Sequence, residues 1–205
     1  MYIPEYFKFE DLPLIHDIMR QYNFATLISQ TDAGPMISHL PLRFSPSDSG
    51  HGFIFGHLAK PNPHWKLWAK DKRITVLFHG PHAYISPRWY EPAPDNVPTW
   101  NYAVVHVQGE IEIIGQETDA FKEMTALVKQ HDPNWPLELS ERDRKGMMAG
   151  IVVFQIKIQA IEAKFKLNQN HPAKNRDNVT RELAKSESTV DRETGVLMSR
   201  VKDRG

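Results

Sequence analysis

Two long stretches of alternating side chains, NYAVVHVQGEIEIIG from Asn101 and IVVFQIKIQAIEAKFKL from Ile151, decide which folds are open to this chain. Apolar residues recur at every second position, the period of a strand whose side chains point alternately to two faces. Each run is long enough to bend, and Gly109 inside the first reads as a bulge or kink. Shorter runs of the same kind precede them. FATLISQ and PMISHLPLRF flank TDAG and form a hairpin around a turn rich in Asp and Gly. The loop SPSDSGHG leads into GFIFGHL, and RITVLFHG is separated from HAYISP by Gly80 and Pro81. Hairpin-like connections of this sort favour an antiparallel barrel over a doubly wound sheet, so the expected class is mainly β with inserted helices, an α+β chain.

Helical spacing appears between the strands. Leu12, Ile15, Ile18, Met19 and Tyr22 follow a capping residue at Asp11. Asn62 and Pro63 open a short helix through Trp65 and Trp68, and ETDAFKEMTALVKQHD with SERDRKGMMAG makes a helical pair ahead of the last long strand. After His171 the chain turns charged and poor in large apolar residues. The expected organisation is therefore one domain over 1–171 and a charged, helical or disordered tail over 172–205. In that tail NRDNVTRELAKS forms a helix, and the remainder dangles or packs on a partner.

Composition removes several function classes. Lys plus Arg equals Asp plus Glu, 25 of each, so no global positive field draws the chain to nucleic acid or to membrane phosphates. The absence of Cys excludes disulfides, thiolate metal sites and a thiol nucleophile. MYIPEYFKFED lacks the basic start and apolar run of a signal peptide, and no run approaches the roughly eighteen apolar residues of a membrane span. A cytoplasmic protein is expected, with DNA bound weakly if at all.

Chemistry concentrates between residues 80 and 109. Tyr84, Trp89, Tyr90, Trp100 and Tyr102 gather around Ser86, Thr99, Asn101 and several His, on either side of a Pro-rich loop. Flat rings mixed with neutral hydrogen-bonding groups suit a planar, polar cofactor. His82, Tyr84 and Ser86 share one strand phase, and Trp100, Tyr102, Val104 and His106 share another. Aromatic stripes are often core, yet core strands seldom interleave Ser, His and Tyr hydroxyls without a use for them. HGPH at 79–82 with His106 is a poor metal motif, lacking an acidic residue at ligand spacing, and no metal is expected.

The segments MYIPEYF, SHLPL, GHLAKPNPHW, HGPHAYISPRWY, VPTWNYAVVHVQG and KFKLNQNHP resemble, in order and spacing, the PaiB-like proteins, which are named negative transcriptional regulators and grouped with FMN-binding split-barrel flavoproteins. The resemblance covers roughly residues 1–180 and implies a split β-barrel homodimer with flavin sites built from both chains. One departure stands out: relatives usually carry KLSQN where Asn168 replaces the Ser here.

Under that resemblance the residues take roles. The end of GFIFGHL (His57, Leu58) and the helix start at Asn62, with Lys60 beside it and His64 in its first turn, form the expected phosphate cradle. His39, Leu40, Pro41 and Leu42 offer backbone groups to the flavin ring at a strand interrupted by proline. Tyr84, Ser86 and Trp100 build the ring pocket, and Lys166 and Gln169 reach it from the dimer mate. His106 and Tyr102 are the candidates for proton delivery, since an imidazole titrates near neutrality. Three functions stay open: an FMN-dependent oxidoreductase such as a flavin reductase, drawing on a nicotinamide reductant; a ligand-sensing transcriptional regulator; and a haem-binding protein on the same barrel.

Overall fold

A computed structural model describes residues 1–91, 96–136 and 139–202. The centre of the expected Pro-rich loop, 92–95, and the tail's last residues, 203–205, lie outside the described residues. Eight strands, β1 (Lys8–Phe9), β2 (Phe24–Thr31), β3 (Gly34–Pro41), β4 (Arg43–Ser45), β5 (Phe53–Ala59), β6 (Arg73–Ile85), β7 (Thr99–Ile113) and β8 (Ile151–Lys166), form one sheet. Its order is β3-β2-β6-β7-β8-β5-β4, with β1 beside β8. Among the described residues five α-helices accompany it: α1 (Leu12–Gln21), α2 (Glu117–His131), α3 (Glu141–Ala149), α4 (Ala173–Ala184) and α5 (Thr189–Lys202). The chain divides into two compact units: Met1–Ile15, His79–Val105 and the residues from Glu162 onward make the first, and His16–Phe78 with His106–Ile161 the second.

The second unit holds the barrel. β3 and β4 stand at opposite ends of the strand order yet are separated in sequence only by Leu42, so the sheet must roll until its ends meet. Leu27, Leu42, Ile54, Val76, Phe78 and Phe154 fill the interior with no exposed surface, each stabilising by about 1.5–3 kcal/mol. The β2–β3 hairpin closes as the sequence requires, with Thr31 opposite Gly34 and Gly34 at φ +112°, open to glycine at little strain. Gly109 serves a different purpose from the expected bulge. β7 runs continuously through it, and a Cβ there would stand 2.5 Å from the Lys157 carbonyl oxygen, so glycine permits close strand approach.

Asp11 caps α1, its Oδ1 accepting from the Leu14 amide at 3.0 Å. Leu14, Ile15, Ile18 and Met19 form the buried stripe, whereas Leu12, the first helical residue, is 44% exposed. In the first unit β1 pairs with β8, and Phe9 stacks on Phe165 at 4.2 Å. The tail is packed rather than dangling: α4 and α5 bury Val179, Leu183, Leu197 and Met198 together with the small or polar Asn175, Thr194 and Gly195. Asn101 donates to the Met198 sulfur at 3.4 Å, and the Glu91 amide donates to Asn175 Oδ1 at 2.9 Å.

Candidate functional site

In the first unit the ends of β6, β7 and β8 carry an aromatic shelf. Burial alternates along β6 so that Ala83 and Ile85 enter the core while His82 and Tyr84 stay exposed. Trp100, near the start of β7, is 53% exposed, and Tyr84 is 49% exposed. The Trp100 ring lies 6.1 Å from His82 and 6.1 Å, edge-on, from Tyr84, spacings at which rings attract one another. Lys166 holds the backbone of this strand, its Nζ donating to the Trp100 carbonyl at 2.7 Å and to Thr99 Oγ1. Burial, and then the neighbouring Lys164, pull its pKa below the ordinary lysine value. Lys164 in turn sits over the Tyr102 ring at 5.5 Å. The strand end is thus fixed by an ammonium while its rings remain open.

The other residues expected here have local duties. Ser86 caps the 3-10 turn Pro87–Trp89, accepting from the Arg88 amide at 3.3 Å, and keeps its hydroxyl proton to give. Both ends of Gln169 are engaged by its own turn, Oε1 accepting from the Leu167 amide at 2.7 Å and Nε2 donating to the Phe165 carbonyl. Asn168, the departure from the family motif, adopts φ 64° and donates to Tyr90 Oη at 2.8 Å; that phenol ring stacks on His171 at 4.6 Å. Asn tolerates the left-handed region better than most residues, and its amide satisfies a buried phenol, so the position is structural.

A second constellation lies in the second unit. His64, fully buried, shares a hydrogen bond between Nδ1 and Ser38 Oγ at 2.8 Å; Asn62 Nδ2 donates to the same oxygen at 3.3 Å. Burial lowers the His64 pKa, so the ring is held neutral. The expected amide cradle is occupied by the protein itself. The Lys60 amide donates to Gly150 O, the Asn62 amide to Ala59 O and the His64 amide to Asn62 Oδ1, while residues 61 and 63 are prolines without an N–H. What this segment offers an anion is the ammonium groups of Lys60 and Lys66, both exposed. At the SHLPL strand, Leu42 gives its amide to Asn23 O, Leu40 and Leu42 are buried, and His39 is exposed with Nδ1 3.1 Å from Thr26 Oγ1. His57 lines a cavity beside α2 and α3, Leu58 points to the core, and Tyr102 and His106 share the half-buried face of β7.

Sequence reasoning took SHLPL for its backbone and overlooked the Ser38 hydroxyl. It also overlooked Lys164, although KFK places it in phase with Lys166.

Comparison with known proteins adds a family to this geometry. The family described as "Putative FMN-binding domain" matches residues 1–160. The chain is similar to the protease synthase and sporulation protein PAI 2 of Bacillus subtilis (strain 168), 34% identical over 204 residues and spanning 97% of this chain and 96% of that one. Among solved structures it resembles the flavocytochrome Anf3 from Azotobacter vinelandii, with TM-score 0.62, 12% identity, and 80% and 72% of the two chains covered. A FAD and heme binding protein from Mycobacterium smegmatis is alike at TM-score 0.60 and 14% identity, covering 78% of this chain and 73% of that one. At such identities the likeness is one of fold, the split barrel of flavin-binding proteins.

Proposed function

The chain belongs to the FMN-binding domain family, and from that premise we propose that it is an FMN-binding flavoprotein acting as an oxidoreductase of the flavin-reductase kind. The observation that carries the reading is the exposed shelf of Trp100, Tyr84 and His82 on strands fixed by Lys166. Large rings left in water on a rigid edge mark a surface that takes a flat ligand. Hydrogen-bonding groups stand around it. The Ser86 hydroxyl gives a proton, and Lys166 supplies positive charge toward an electron-rich ring edge. These groups fit an isoalloxazine, which when bound supplies hydride and electron transfer. Tyr102 and His106 are proposed to hold the proton that a reduced substrate takes up, and Lys60 to meet the phosphate.

A nicotinamide is the proposed reductant, and a second copy of the chain the proposed partner. The β2–β3 hairpin leaves Phe24 67% and Ile37 49% exposed, apolar surface that a homodimer would cover. The proposed compartment is the cytoplasm; no helix among the described residues is long and apolar enough to cross a membrane. A regulator that grips DNA through the tail is a poorer reading. Lys174 pairs with Glu91 at 2.5 Å and Lys185 with Glu182 at 2.6 Å, so two of the tail's cations already face carboxylates.

The test is a titration of the purified, cofactor-stripped protein with FMN and, separately, with haem. Saturable quenching of flavin fluorescence at one FMN per chain is expected. A Soret band formed with haem while flavin stays free would replace FMN by haem, and no binding of either would end the flavoprotein reading.

A further inference from the structure

The helices between β7 and β8 flank a half-open cavity that the flavin reading does not use. It measures about 270 Å³ and is lined by His57 of β5, by Phe121, Met124 and Leu127 of α2, and by Met147 and Met148 of α3. One wall is firmly held. Arg43 pairs with Glu123 of α2 and lies 4.7 Å above the Phe55 ring of β5. The other wall is held from its surface and not by core packing: none of the residues of α3 is buried, Met147 is 55% exposed, and Arg144 reaches α2 at Glu117, 3.5 Å away, and over the Phe121 ring at 5.5 Å. α3 can therefore shift to admit a ligand without breaking core packing.

The lining states what it would accept. Thioethers adapt their shape and make favourable contacts with aromatic ring edges, and the two walls together carry three of them and a phenyl ring. A dry cavity of about 150 Å³ already takes benzene, so 270 Å³ leaves room for a substituted ring. His57 is the one polar side chain. Its Nδ1 is sealed from solvent and has no hydrogen-bond partner, while the ring as a whole is only half-buried. Burial favours the neutral imidazole, which has a single N–H to place. A sealed N–H is tolerated less than a sealed lone pair, so the proton belongs on Nε2, at the open edge.

We propose that this cavity binds a small ring-bearing molecule with one hydrogen-bond acceptor, an aryl ketone being the simplest case, whose oxygen accepts from His57 Nε2 while its ring lies among Phe121, Met124, Met147 and Met148. The site is separate in composition from the aromatic shelf, and neither depends on the other.

The seven methionines of the chain give a direct readout through ¹³C-methyl labelling and NMR of the intact protein. Acetophenone should produce saturable shifts at the Met124, Met147 and Met148 methyls and leave Met19 and Met198, both buried in the core, unmoved. Ethylbenzene, which keeps the ring and lacks the acceptor, should bind roughly threefold to tenfold more weakly, the worth of one neutral hydrogen bond. His57→Phe should bring acetophenone down to the ethylbenzene level. His57→Gln, which retains N–H donors, should keep the preference and guards against a misfolded first variant. Shifts that never saturate, that spread over all seven methyls, or that are equal for the two probes in the unmodified protein would overturn the proposal.

Discussion

Replacing Trp100 by Ala separates a flavin wall from a structural ring, because the two roles differ in where the energy is lost. A Trp side chain presents roughly 250 Å², and at 53% exposure about 120 Å² is hidden, worth up to about 3 kcal/mol at ~25 cal/mol per Å². Alanine keeps part of that contact, and an exposed position opens no sealed cavity, so the expected loss is about 2 kcal/mol. For a chain of this size that lowers the melting temperature by about 4–8 °C. A fully buried ring would lose about 3–5 kcal/mol. The loss in flavin binding should be of another kind. A planar heterocycle stacked on an aromatic side chain is worth about 1–3 kcal/mol, so the FMN dissociation constant should rise roughly 5- to 150-fold. The assays are flavin fluorescence quenching and a thermal melt of the flavin-free protein, both on Trp100→Ala. A melting temperature lowered by more than about 10 °C with FMN affinity unchanged would refute the shelf as a flavin wall.

Three further outcomes follow from the geometry. Lys60→Ala should weaken FMN by about 1.5–3 kcal/mol, the range of a charge-assisted hydrogen bond, and leave riboflavin, which has no phosphate, nearly unaffected; equal losses for both, by fluorescence titration, would remove Lys60 from the phosphate. His64, buried with its pKa held below the ordinary 6.5, takes up a proton more readily in the unfolded chain, so stability is full above that value and declines as pH falls below it. His16, His57 and His171 are shifted the same way, and His64→Asn should flatten part of the decline in urea melts between about pH 7 and 5; an unchanged slope would show that His64 does not contribute. Asn168→Val should cost about 2–4 kcal/mol, combining a β-branched side chain at φ 64° with an unpartnered Tyr90 hydroxyl, and a melting temperature within a degree of the parent would contradict that role.

The barrel was legible because its signals are periodic and local. Alternation marked β7 and β8, Gly34 marked the hairpin, and Asp11 marked the start of α1. In the tail the helix over NRDNVTRELAKS was legible and is α4, whereas α5 and its packing were not, for a physical reason. α5 sets Gly195 against α4, where a would-be Cβ stands only 3.2 Å from Leu183 Cβ, and Asn175 and Thr194 are buried as fully as the leucines of the two helices. Close contact between small residues buries a helix without the apolar stripe that a periodicity search detects.

The candidate site shows the same division between side-chain type and hydrogen-bond economy. Residue types located the aromatic shelf, since Trp and Tyr in strand phase declare themselves, but they could not say which polar groups remain available. The family motif implies a ligand contact at Gln169, and here the left-handed Asn168 before it turns the amide back onto Leu167 and Phe165. Asn62 likewise looks like the rim of an anion cradle, yet its own side chain takes the amide that an anion would need. A backbone donor serves a ligand only when the fold leaves it unpaired. By that rule the groups left to act in the shelf and the phosphate segment include the Ser86 hydroxyl proton, the Lys60 ammonium and the open faces of Trp100 and Tyr84.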